Sequence, residues 1–163
     1  MARKLLVAIA LLLLPMQLSA KDSLGIFDGW GAFRDPAIPR CYAIALAKPS
    51  RLSRDYQAFA SVGNWPRRGV RGQLHFRLSR KLAARAPITL AVGNKRFVLI
   101  GGGGDAWAQD KAMDAAIVAA MRSISTMVVS SRDAKGRRFS DTYLLQGAAT
   151  AMDAATIGCA RLR

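Results

Sequence analysis

The sequence contains no glutamate. All ten of its acidic residues are aspartates, against 25 lysines and arginines. It has one histidine, His75, and two cysteines, Cys41 and Cys159. So small a stock of imidazole and thiol argues against His/Cys metal clusters and leaves little for acid–base chemistry near neutral pH. No Cys-x-x-Cys pair, no G-x-S-x-G elbow and no G-K-[ST] lysine occurs, which removes the common signatures of dithiol redox, serine-hydrolase and phosphate-loop chemistry. What is present is a chain of 163 residues, 52% hydrophobic and 21% charged, long and apolar enough to bury the core of one domain.

The first twenty residues read as an address. Arg3 and Lys4 form a basic start, Leu5 to Leu14 is apolar throughout, Pro15 breaks the run, and Leu18-Ser19-Ala20 offers a small residue for cleavage before Lys21. This is the layout of a secretory signal peptide. An apolar run of that length spans about 15 Å as a helix, roughly half the hydrocarbon thickness of a bilayer, which disfavours a retained anchor. There is no Arg-Arg pair for a twin-arginine signal, and Lys21 stands where a lipoprotein needs cysteine. The expected organisation is therefore a signal peptide over 1–20, cut between Ala20 and Lys21, and one β-rich domain over 21–163, with no transmembrane segment in the mature chain and a periplasmic or secreted address.

In such an oxidising compartment two cysteines of one domain usually pair, and Cys41 with Cys159 would close a loop of nearly the whole domain. The alternative is two separately buried thiols.

Along the mature chain, alternation predicts strands over Arg40–Ala47, Tyr56–Val62 and, most cleanly, Gln73–Ser79, where Leu74, Phe76 and Leu78 face the core and Gln73, His75 and Arg77 face water. Gly63 to Gly72, rich in Gly, Pro and Arg, reads as an exposed loop. Gly93-Asn94-Lys95 sits between strands at Ile88–Val92 and Arg96–Ile100, and Asp133–Gly136 between strands at Ile124–Ser130 and Phe139–Gln146; both are hairpin signals. Two helices are expected. One is capped by Asp110 and runs Lys111–Arg122; the other runs from about Ala149 to Ile157 and is stopped by Gly158. Hairpin-linked strands with short helices predict a mainly β fold, an antiparallel β-sandwich-like single domain.

Gly101–Gly104 followed by Ala106 fits the G-x-G-x-x-A dinucleotide pattern in letters only, because the preceding strand belongs to a hairpin and not to a βαβ unit. It reads as a sharply turning loop, and no cofactor is implied. His75, on a polar strand face beside Arg77, reads as an exposed histidine. Asp105, Asp110 and Asp114 read as capping and dipole chemistry at a helix start more readily than as paired catalytic carboxylates. No catalytic or metal-binding residue is assigned.

Charge is the strongest signal. Eleven basic residues lie between 51 and 96, opposed only by Asp55. Trp65, Arg67, Arg68, Arg71, Arg77, Arg80, Lys81 and Arg85 form the candidate anion-binding patch, if the loop folds toward the water face of the following strand. The other reading of the same residues is a solvated cationic face. Guanidinium groups favour phosphate and carboxylate, so the expected partner is an anionic envelope component such as lipopolysaccharide, or an envelope protein, with no specific nucleic acid. A second reading is a periplasmic hydrolase acting on an acidic envelope polymer, using Asp105 or Asp110 with His75.

Four segments carry a family resemblance: Trp30 before Cys41-Tyr42-Ala43, Ala120-Met121-Arg122 leading into a strand, Asp141-Thr142-Tyr143-Leu144-Leu145-Gln146-Gly147, and Ala151 before Cys159. In these the chain resembles the invasion-associated locus B family of exported proteins, over roughly residues 28–161. The resemblance implies a signal peptide, a compact β-rich domain with short helices and a periplasmic or surface address. It brings no enzymatic activity and no cofactor. The chain departs from the family pattern in lacking further cysteines and in being unusually basic.

Overall fold

The computed structural model describes residues 21–160, so the expected signal peptide and the Ala20–Lys21 cleavage point lie outside the described residues. The alternation around Leu74 and Phe76 becomes a strand at the middle of the fold. In chain order the strands are β1 (Asp22–Phe27), β2 (Trp30–Asp35), β3 (Arg40–Leu46), β4 (Phe59–Trp65), β5 (Val70–Arg77), β6 (Ile88–Val92), β7 (Lys95–Gly102), β8 (Asp105–Trp107), β9 (Thr126–Arg132) and β10 (Arg138–Leu144). Helix α1 covers Lys111–Met121 and α2 covers Ala148–Cys159. The strands form one sheet in the order β1-β2-β3-β4-β5-β8-β7-β6-β9-β10, with antiparallel neighbours throughout.

The sheet folds back on itself. Phe76 of β5 and Tyr143 of β10 pack ring to ring at 5.6 Å although several strands separate them in the sheet. Trp30 Nε1 of β2 donates to Leu144 O at 2.8 Å, and Lys48 N donates to Thr142 O at 2.8 Å. The interior is thus the sandwich-like core expected, filled by Trp30, Phe76, Tyr143, Leu74, Leu90 and Met127, all without solvent exposure.

Helix α2 presents Ala148, Ala151, Met152, Ala155 and Cys159 as its buried stripe. It lies on β1–β4, where Ala32, Ala43 and Ala60 make the sheet face shallow. Small residues on both surfaces let helix and sheet approach closely. The buried face of β3 is therefore its Cys-Ala-Ala face, while Tyr42 and Ile44 are only half-buried and Leu46 is exposed. Cys41 is bonded to Cys159 at a Cα–Cα distance of 5.6 Å, which ties the last turn of α2 to β3.

Several boundaries differ from the sequence reading. Gly158 does not stop α2. A Cβ there would lie 2.4 Å from Leu24 Cδ1, so this glycine serves the close approach of α2 to β1, and the helix runs on to Cys159. The expected loop over Gly63–Gly72 shrinks to Pro66–Gly69: β4 continues to Trp65, a 3-10 turn covers Pro66–Arg68, Gly69 takes φ +62°, and β5 starts at Val70. The second strand begins at Phe59, leaving Tyr56 outside it. The glycine run is a tight hairpin turn, with Gly102 paired to Asp105 and Gly103 at φ +65°. Strands β1, β2 and β8 are additions that the alternation did not reveal.

Candidate functional site

The basic residues singled out in the sequence do not share one surface. β5 is eight residues long and, at roughly 3.3 Å per residue, holds Arg67, Arg68 and Arg71 at one end some 25 Å from Lys81 and Arg85 beyond the other. Arg80 is buried, with Nη1 donating to Asp133 Oδ2 at 3.2 Å. Arg77 donates to Asp105 Oδ2 at 2.6 Å and lies over the Tyr56 ring at 3.8 Å. Trp65 is half-buried because its indole lies over Gly63, on the face of the sheet shared with Tyr42 and Gln73. Arg71 instead borders the side on which the helices pack. The single patch that would join Trp65, Arg77 and Arg80 to the loop arginines is therefore not formed. The cause is pairing with Asp105 and Asp133, acids distant in sequence.

What remains at the β4–β5 connection is compact. Arg67, Arg68 and Arg71 are exposed and, among the described residues, none of them pairs with an acid. Behind them two adjoining cavities share Asn64, Arg71 and Thr156. The first, about 390 Å³, lies against the 3-10 turn at Pro66 and Gly69. The second, about 340 Å³, opens between α1 and α2 over Val62, Val118 and Met152. Its far wall carries Arg122, whose guanidinium grips Asp153 through Nη1 at 3.2 Å and Nη2 at 2.6 Å. That fork holds the Asp153 carboxyl below its ordinary range and the Arg122 guanidinium above its own.

Aspartate supply explains why these arginines stay unpaired. Asp110 caps α1, accepting from Met113 N at 2.8 Å. Asp114 accepts from Leu74 N and Asp141 from Ser79 N, each at 2.8 Å, and Asp55 accepts from Lys81 N at 2.9 Å. Asp133 receives Arg80, Arg137 and two backbone N–H groups. Burial raises the Asp133 pKa, but the hydrogen bonds and charge of Arg137, with Lys135 N, outweigh it and leave that carboxyl lowered. Asp114 goes the other way: burial, helped by the Asp110 charge, raises it against the lowering effect of the Leu74 hydrogen bond.

His75 has a more structured setting than the sequence suggested. Its ring stacks on Trp107 with centroids 5.0 Å apart and meets the edge of Phe59 at 5.5 Å. Nε2 donates to Asp105 Oδ1 at 3.0 Å. Of the acids proposed to accompany His75, the fold brings Asp105 to it and engages Asp110 in the helix cap. Ser61, opposite His75 in β4, makes no hydrogen bond to the ring among the described residues. The cluster lies on the outer face of the sheet, apart from both cavities.

Residues 40–156, more than two-thirds of the chain, match the family described as Invasion associated locus B protein. The chain belongs to the invasion-associated locus B family. No curated protein and no solved structure matches it significantly. Members of the invasion-associated locus B family are exported, and it is not known as an enzyme family. The matched stretch contains Arg67, Arg68, Arg71, Asn64, α1 and most of α2, so the cavity between α1 and α2 lies wholly within it, while the first cavity also draws on Cys159 and Ala160 beyond it. Among the described residues no helix is long and apolar enough to cross a membrane, and no His, Cys, Asp or Glu cluster is arranged to hold a metal ion.

Asn64 escaped the sequence reading, which placed it in a loop. Its signal was weak: one polar residue beside Gly63, on a strand whose register only the neighbouring strands define.

Proposed function

We propose that this chain is an exported, non-catalytic, cationic protein that binds an anionic component of the cell envelope, a glycolipid of the lipopolysaccharide kind, through Arg67, Arg68 and Arg71. The observation that carries this reading is the unpaired state of these three guanidinium groups in a domain where nearly every carboxylate is engaged in holding the fold. Clustered arginines on a short turn suit phosphate, which accepts paired N–H groups from a planar fork. The contacts are exposed, so binding should weaken steeply with salt, the screening length being about 8 Å at physiological ionic strength.

The test is affinity for an anionic glycolipid as a function of ionic strength, for the wild type and for the Arg67→Gln, Arg68→Gln, Arg71→Gln triple variant. Weaker binding and a shallower salt dependence in the variant, at nearly unchanged melting temperature, support the reading. Equal binding by the two proteins, or none by the wild type at low salt, leaves the arginines as a solvated face. A hydrolase acting on an acidic envelope polymer is the second reading. It draws on the His75–Asp105 contact alone.

A further inference from the structure

We propose that the cavity between α1 and α2 seats the aliphatic chain of a phosphorylated amphiphile whose phosphate meets Arg71 and Asn64. This rests on the reading above, that the arginine end of β5 binds anions, and adds to it a place for the apolar part of the ligand.

The cavity beneath the helices is lined mostly by apolar groups, among them Val62, Ala115, Val118 and Met152. The adjoining cavity is bounded by Pro66 and Gly69, which flank Arg67 and Arg68 in the 3-10 turn. Together they give an apolar pocket with a cationic mouth, and each volume falls in the range of about 300–1,000 Å³ found for small-molecule sites. Neither cavity is lined by an acidic residue. The carboxylate of Asp153 nearby is taken up by both arms of Arg122.

Asn64 supplies the second, independent observation. Asn64 lines both cavities and is only 8% exposed as a residue. Its Oδ1 accepts from Gly72 N at 2.9 Å, which fixes the orientation of the amide because only the oxygen can accept. Nδ2 is then left with no hydrogen-bond partner among the described residues. An accessible amide donor without a protein partner, beside an unpaired guanidinium, is a site for an anionic acceptor. Phosphate is favoured over carboxylate because Arg67 and Arg68 stand on the adjoining turn, where a second negative charge is stabilised.

The experiment titrates the protein with decyl phosphate below its aggregation concentration, with inorganic phosphate, decanoate and decanol, by calorimetry and by following the Met152 methyl resonance. Decyl phosphate should bind at least about tenfold more tightly than any of the other three and should shift Met152. Ala115→Phe, at an exposed helix position that lines the cavity, should abolish the decyl phosphate advantage and leave inorganic phosphate binding unchanged. Ala119→Phe serves the same purpose if that variant folds poorly. Arg71→Gln should weaken both phosphates. If decyl phosphate binds no better than inorganic phosphate, or binds Ala115→Phe as well as wild type, the chain site is overturned while the anion-binding reading stands. Decanol or decanoate binding as tightly as decyl phosphate overturns the phosphate contact at Arg71 and Asn64. Absence of binding by all four, together with no glycolipid binding, overturns both readings.

Discussion

Removal of the Cys41–Cys159 cross-link is the perturbation whose size follows most directly from the structure. The bond joins residues 118 apart in sequence. The entropy of closing a loop of that length in the unfolded chain gives about 4.9 kcal/mol of stabilisation at 25 °C. Both cysteines are buried, at 0% and 4% exposure, so truncating them to alanine adds a packing loss on the order of 1 kcal/mol for each sulfur removed. Reduced wild-type protein keeps the sulfurs and loses only the link, which separates the two contributions. In urea titrations, reduction of the wild type should lower stability by about 4–5 kcal/mol, and the Cys41→Ala, Cys159→Ala variant should lose somewhat more. Reductant should have no effect on the double variant. Hydrogen exchange should quicken first in the last turn of α2, which the bond holds against β3. Reduced wild type remaining within about 1 kcal/mol of the oxidised protein would show that the packing of α2 suffices without the loop constraint.

Two further perturbations test other parts of the account. Trp30→Phe leaves a cavity at a fully buried position and removes the donor to Leu144 O; chemical denaturation should show a loss of about 2–4 kcal/mol, and a loss below about 1 kcal/mol would mean that this contact does not hold β10 to β2. Asp114→Asn keeps an oxygen to accept from Leu74 N but no longer titrates. Because burial raises the Asp114 pKa above 3.8 in the folded state, its stabilising contribution is present below that pH and is lost as pH rises through the raised value. The stability of Asp114→Asn relative to wild type should therefore increase as pH rises from 3.8 upward, and parallel stability–pH curves for the two proteins would contradict the assignment.

Local chemistry in the sequence determined a good part of this protein. Period-two alternation placed the core of β5, and Gly93-Asn94 placed the β6–β7 hairpin, because both act through residues adjacent in the chain. Asp110 capped α1 as its position before an apolar periodic run requires. Export chemistry and an even cysteine count pointed to the disulfide, which the fold then formed. The β1–β2 hairpin also had a local mark, Asp28-Gly29 between Phe27 and Trp30, but its flanks alternate poorly and the Ser23–Gly25 irregularity blurs them further. β8 is three residues long and exists as a strand because β5 and β7 lie on either side of it.

The site divides in the same way. That Arg67, Arg68 and Arg71 are exposed was legible from the Gly and Pro around them, since such a turn resists burial. That Arg80 is buried and Arg77 neutralised was not, because the deciding partners are Asp133 and Asp105, 53 and 28 residues away. The cavity behind Arg71 takes its walls from β4, α1 and α2, three segments that approach one another only after the sheet has curled and α2 has docked on its alanine face. Propensity, turn chemistry and alternation act over a few residues and can be read in order. Ion pairing and cavity shape depend on distances between residues far apart in the chain, and those distances exist only in the folded protein.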